Sequence, residues 1–176
     1  DVAEKWYPYI TPGTWPDCDM IPLGRISVRG ERGEDRMTRL TKDEQYTLIS
    51  FFNILKSPLF FGGDLPSNDA FTLSLLTNKD VVKMHNESTA VKQLFQKDGK
   101  IAVTSKNPKD GSVYLALFNI SDTASQNVSV NLSDLGFTGS VEVLNMWTGE
   151  KSKVSSKEIN AVLKAHASVL YQLKGK

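Results

Sequence analysis

The sequence predicts an α/β segment followed by an all-β one, and two observations carry that prediction. Up to about residue 87, short apolar runs alternate with helical periodicity in the order strand, long loop, helix, strand, helix. Beyond residue 88 the rhythm changes to short runs rich in β-branched and aromatic residues, punctuated by Asp-Gly and Gly. The expected division is therefore 1–87 and 88–176.

In the first segment, MIPLG at 20–24 reads as a strand end closed by Gly24. A polar loop follows, and its densest part, RGERGEDRMTR at 29–39, mixes both charge signs and reads as a solvated face. Thr41, with Glu44 three residues on, is a capping box. It opens a helix whose Leu48, Phe51, Phe52 and Leu55 recur at helical spacing, and Pro58 bounds it. LFFGGDL at 59–65 fits a buried parallel strand, with Gly62 and Gly63 implying a close backbone approach. AFTLSLLTNKDVVKMHN carries a second helical pattern with a break expected at Thr77 and Asn78.

The second segment reads as seven or eight short strands with turns at Asp98-Gly99 and Asp110-Gly111, the pattern of an antiparallel sandwich. Two βα units cannot close a sheet, and a complete (β/α)8 barrel takes about 250 residues. Either the first segment packs unusually against the sandwich, or the remainder of a barrel lies outside this sequence.

Composition excludes several classes. Twenty-one Lys and Arg offset twenty Asp and Glu, so no basic nucleic-acid footprint is present. No apolar run approaches membrane-spanning length, so no membrane partner is expected. Cys18 is the single cysteine, which rules out an intrachain disulfide and a cysteine metal cluster. His85 and His166 stand far apart without clustered ligands, and neither a metal nor a cofactor is expected. Asp1 is not an initiator methionine, so the chain is expected to begin at a trimming, cloning or cleavage point.

TWPDCDMIPLG at 14–24 holds the candidate site. In extended backbone Asp17 and Asp19 would share a face about 6.5 to 7 Å apart, from twice the strand rise. That spacing suits a polar cleft and equally a capped turn. Trp15 could stack on a sugar face or simply pack, and Met20 could line a pocket or fill a core. Asp64, after the glycine pair, reads as a residue that orients a strand end by hydrogen bonding.

Taken together, Trp15-Pro16-Asp17-Cys18-Asp19-Met20, the capped helix LTKDEQYTLISFFNIL, SPLFFGGDL, LLTNKDVVKMHN and NMWTGE at 145–150 resemble the C-terminal portion of family 27 glycoside hydrolases. These are the retaining α-galactosidases and α-N-acetylgalactosaminidases, whose first motif usually reads W-N-D-P-D-M. The resemblance implies the end of a (β/α)8 catalytic barrel over 1–87 and an antiparallel β-sandwich over 88–176. It assigns Asp19 and Met20 to the wall of a galactose pocket and Trp15 and Asp17 to its support. The family's nucleophile and acid/base motifs have no match here, so no catalytic residue is expected in this chain. The implied ligand is an α-galactoside or related sugar, the implied partner is the upstream barrel portion, and a periplasmic or extracellular location would suit the family. The rival expectation is a carbohydrate-binding or structural β module without catalysis.

Overall fold

The computed structural model describes residues 2–175. A short helix α1 (Val2–Trp6) leads through a 3-10 turn at Tyr7–Tyr9 into an extended stretch ending near Gly24. Strands β1 (Arg25–Ile26) and β2 (Arg36–Met37) form a small hairpin inside what the sequence shows only as a polar loop. An exposed ion pair between Arg25 and Asp35 staples it.

Helix α2 (Lys42–Ile54) starts at the expected capping box. The Glu44 N–H donates to Thr41 Oγ1 at 3.3 Å, and the Thr41 N–H donates to Glu44 Oε2 at 2.7 Å. Its end is set before Pro58 is reached. Lys56 takes a left-handed φ of 59°, the Lys56 N–H bonds the Asn53 carbonyl, and the Ser57 N–H bonds the Phe52 carbonyl. This pairing is the Schellman arrangement, here built on lysine where glycine is usual.

Helices α3 (Ala70–Leu76) and α4 (Lys79–Glu87) are separated at Thr77 and Asn78, as the pattern predicts. Asn78 makes the break. Its Oδ1 accepts from the Asp80 and Val81 N–H groups at 3.1 Å, while its Nδ2 donates to the Met146 carbonyl at 2.9 Å.

The α/β expectation needs correction at the two apolar runs. Residues 20–24 and 59–65 do not form full strands; one parallel bridge joins Ile21 to Phe61. The Ile21 N–H donates to the Phe60 carbonyl at 2.7 Å, and the Gly62 N–H donates to the Ile21 carbonyl at 2.9 Å. Pro22 has no N–H to extend the ladder, and no further strand flanks either segment among the described residues. The described residues therefore contain no (β/α)8 barrel.

From residue 89 onward the expectation of a sandwich is met. Strands β3 (Thr89–Lys97), β4 (Lys100–Lys106), β5 (Val113–Asn119), β6 (Gln126–Asn131), β7 (Val141–Asn145), β8 (Lys151–Val154), β9 (Glu158–Leu163) and β10 (Ser168–Gly175) pair antiparallel throughout. A six-stranded sheet runs in the order β3-β4-β5-β10-β7-β8, and β6 and β9 form a second, two-stranded sheet. Asp98 and Gly99, both at positive φ, make the tight turn that pairs Lys97 with Lys100.

The larger sheet is a middle layer. Val113, Leu115 and Leu117 of β5 face Val128, Val130 and Ile159 of the smaller sheet. Tyr114, Ala116 and Phe118 face Ile54, Leu55, Val81 and Met84 from α2 and α4. All seven residues of β5 are buried, which explains why its sequence runs apolar without alternation. A third cluster of Ile21, Leu23, Ile49, Phe52 and Leu75 fills the space between the extended stretch and the helices.

Candidate functional site

Residues 14–20 cross the rim of the helical part, held from below by Cys18. The Cys18 N–H donates to Ser57 Oγ at 2.9 Å, and Ser57 is fully buried. The Cys18 side chain is half-buried between two apolar clusters. Burial pushes its thiol pKa up, an effect that the Ser57 hydroxyl opposes and the Asp17 charge reinforces. A thiol so placed stays protonated and unreactive at neutral pH.

With Cys18 turned inward, Asp17 and Asp19 both face solvent. The extended geometry expected for the pair fails at Asp19, whose φ is 72°. Aspartate tolerates this left-handed region better than most residues because its short side chain can bond locally. It does so here. Asp17 Oδ1 accepts from the Asp19 N–H at 2.9 Å, and Asp19 Oδ1 accepts from the Met20 N–H at 2.6 Å. Each carboxylate is thus oriented by one backbone bond, and no described residue bonds the second oxygen of either.

The four candidate residues fall into two neighbouring groups. Trp15 and Asp17 line a cleft of about 390 Å³ together with Trp6, Tyr9, Thr14 and Pro16. Trp6 and Tyr9 meet edge to face with ring centroids 6.2 Å apart. Asp19 and Met20 do not line that cleft. Met20, 59% exposed, stands instead beside Gly62, where an added Cβ would come within 3.1 Å of the Met20 Cβ. The core alternative for Met20 is therefore corrected, since it lies at the surface next to the parallel bridge. Trp6 and Tyr9 line this cleft although the motif did not reveal them. Their signal was the aromatic string WYPY at 6–9.

The glycine pair does what its spacing implies. A Cβ on Gly63 would lie 2.1 Å from the Leu23 carbonyl oxygen, so only glycine permits the two extended segments to approach. Asp64 follows, with its N–H donating to the Arg25 carbonyl at 2.8 Å and its Oδ2 accepting from Ser67 Oγ at 2.5 Å. It orients the loop after the bridge, the role read for it.

The histidines lie elsewhere. His85 sits in the last turn of α4, where a charged ring would gain from the helix dipole. Burial, aided by the Lys56 ammonium, pushes its pKa down instead, so the ring is neutral. The Lys56 ammonium supplies the positive charge at that helix end by donating to the His85 carbonyl. His166 lies in the turn between β9 and β10 and faces two carboxylates, Glu44 and Asp122.

Comparison with known proteins joins these features. Residues 98–173 match the alpha galactosidase C-terminal beta sandwich domain. A family 27 β-L-arabinopyranosidase from Geobacillus stearothermophilus superimposes with a TM-score of 0.92 at 39% identity, covering 98% of this chain and 40% of that one. Alpha-galactosidase 2 of Arabidopsis thaliana is 27% identical over 98% of this chain and 41% of its own length. Alpha-galactosidase D of Emericella nidulans is 29% identical over 92% of this chain and 23% of its own length. The chain thus spans about two fifths or less of these relatives, and what it matches in them extends across the helical part as well as the sandwich. Together these matches support a likeness to the C-terminal portion of family 27 glycoside hydrolases.

Proposed function

We propose that this chain supplies one wall of the sugar site in a retaining glycosidase acting on terminal α-linked galactose. Residues 1–87 are the end of a (β/α)8 barrel and residues 88–176 the accompanying sandwich. The observation that carries the reading is the likeness to alpha-galactosidase 2 of Arabidopsis thaliana over 98% of the chain, which includes the rim where residues 14–20 lie. The parallel bridge between Ile21 and Phe61 supports it, because parallel pairing followed each time by a helix is how such a barrel is built. Exposed Phe60 and Leu65 near that bridge fit the contact with upstream strands.

Retaining hydrolysis needs two carboxyl groups about 5 to 5.5 Å apart on opposite faces of a sugar ring. Asp17 and Asp19 lie two residues apart in one tight turn, too close in sequence to flank a ring from opposite faces, so they serve binding rather than bond cleavage. In this reading the second oxygen of Asp19 accepts from sugar hydroxyls and Met20 closes the apolar side. Trp15 and Asp17 shape the adjoining wall, and the nucleophile and acid/base come from the upstream barrel.

The Geobacillus relative favours a second substrate reading. β-L-Arabinopyranose carries the ring hydroxyls of α-D-galactopyranose without the hydroxymethyl group, and that relative is more similar than the α-galactosidases are. Aryl α-D-galactopyranoside and aryl β-L-arabinopyranoside should therefore be assayed side by side, with this chain alone and with a polypeptide that continues upstream. Turnover is expected only from the longer protein. There Asp19→Asn should lower kcat/KM about 10- to 100-fold, the worth of one hydrogen bond to a charged group. Turnover by this chain alone would overturn the division of roles. Sugar binding without turnover in the longer protein would favour the non-catalytic module.

A further inference from the structure

We propose that His166 is a proton-gated latch that fastens helix α2 to the sandwich in mildly acidic solution and loosens as its imidazole loses charge. The ring sits in the β9–β10 turn, on a residue held at a left-handed φ of 60°. Its Nδ1 lies 2.9 Å from Glu44 Oε1, and its Nε2 lies 3.0 Å from Asp122 Oδ1. Both partners are acceptors when ionised. A neutral imidazole has a single N–H, so one of the two contacts would then set acceptor against acceptor. Only the imidazolium donates to both.

Glu44 makes this more than a passing surface pair. Its other oxygen, Oε2, accepts from the Thr41 N–H at 2.7 Å and the Thr41 hydroxyl at 2.9 Å, so the carboxylate is already fixed by the helix cap. Its side chain is 28% exposed, against 90% for that of Asp122, so solvent screens the Asp122 contact far more. Beside the ring, the Thr47 hydroxyl donates to the His166 carbonyl at 2.7 Å and holds the turn on the same helix at any pH. Glu44 from α2 and Asp122 from the β5–β6 loop are the charged groups that act on the ring. Between these polar contacts the seam is apolar, lined by Leu40, Leu48, Phe51, Ile101, Phe118 and Ile120. The latch therefore closes the rim of an apolar groove.

Hydrogen bonds to Asp122 and Glu44 hold the His166 pKa above its ordinary value. A raised folded-state value places the latch's contribution fully below the unfolded pKa of about 6.5, and it is lost as pH rises through the folded value. The Glu44 pKa is lowered, first by its bonds to Thr41 and then by His166, so its half of the latch persists well into acid. His85 works in the opposite sense, because its depressed value costs stability only as pH falls below about 6.5. Of the two histidines only His166 acts between pH 6.5 and 8.5, while the Cys18 thiol, whose pKa burial raises, adds a loss of its own toward the upper end.

The test is a histidine NMR titration of the full chain together with its thermal midpoint across that range. Only two histidines are present, so His166→Gln assigns the resonance. Expected are a His166 ring that titrates above 6.5, moves back toward the ordinary value in Asp122→Asn and in Glu44→Gln, and a midpoint that falls from pH 6.5 to 8.5. Glutamine at 44 retains the capping box. The fall should shrink in His166→Gln, leaving only the part near pH 8.5 that belongs to Cys18. A ring titrating at or below its ordinary value, or an unchanged fall in His166→Gln, would overturn the latch; Asp122→Asn, a surface change, reads the ring even if other variants fold poorly.

Discussion

Asp110 shows how strongly one short connection can hold a charge. Its Oδ1 accepts from the Ser112 N–H at 3.0 Å, and its Oδ2 pairs with the Lys174 ammonium at 3.0 Å. The Ser112 hydroxyl, the Ser112 N–H and then Lys174 draw its pKa down to about 2. A depressed carboxylate contributes stability above its unfolded value near 4 and loses it as pH falls toward 2. Asp110→Asn should therefore flatten the acid limb of a stability curve measured between pH 4 and 2, with a modest effect because the side chain is 35% exposed. The same local logic governs the candidate site, where Asp17 and Asp19 each orient through a backbone N–H one or two residues away. Those turns were legible as one of two alternatives, cleft or cap, because they are made within a few residues. The left-handed backbone at Asp19 was not legible. It depends on Cys18 being tied to Ser57, 39 residues later, and on Ile21 bridging to Phe61.

Among the elements, those specified by their own residues could be read from sequence and those specified by neighbours could not. The α2 cap, the break before α4 and the Asp98-Gly99 turn are all closed by bonds spanning a few residues. The two apolar runs at 20–24 and 59–65 have strand composition, yet a strand also needs a ladder, and among the described residues a single bridge joins them. The β1–β2 hairpin is illegible for the opposite reason: its strands are two residues long, and its staple is an exposed Arg25–Asp35 pair set in a string of mixed charges. The bridge can form because Gly63 carries no Cβ where the Leu23 carbonyl passes. Gly63→Ala would force a Cβ onto the Leu23 carbonyl and should destabilise the chain by about 1 to 3 kcal/mol, the usual cost of overpacking. Urea unfolding would measure it. The substitution Gly139→Ala, where a Cβ meets nothing within 4 Å, is the control and should change little.

At the scale of the whole molecule, the helical part and the sandwich share a sheet. Trp147, in the turn after β7, donates from its indole N–H to Ser50 Oγ of α2 at 2.8 Å, and its neighbour Met146 accepts from Asn78. Phe51 of α2 meets Phe118 of β5 edge to face with centroids 5.9 Å apart. The change in sequence rhythm near residue 88 is therefore a change of secondary structure and not a line of weak contact. The consequence concerns portability. A gene segment encoding residues 88–176 carries every strand of the sandwich but leaves Tyr114, Ala116, Phe118 and Leu170 with nothing laid over them. Such a piece, purified alone, should run as aggregates on size exclusion, whereas the full chain keeps that face covered. Evolution could then shuffle this sandwich among proteins only by carrying α2 and α4 along with it.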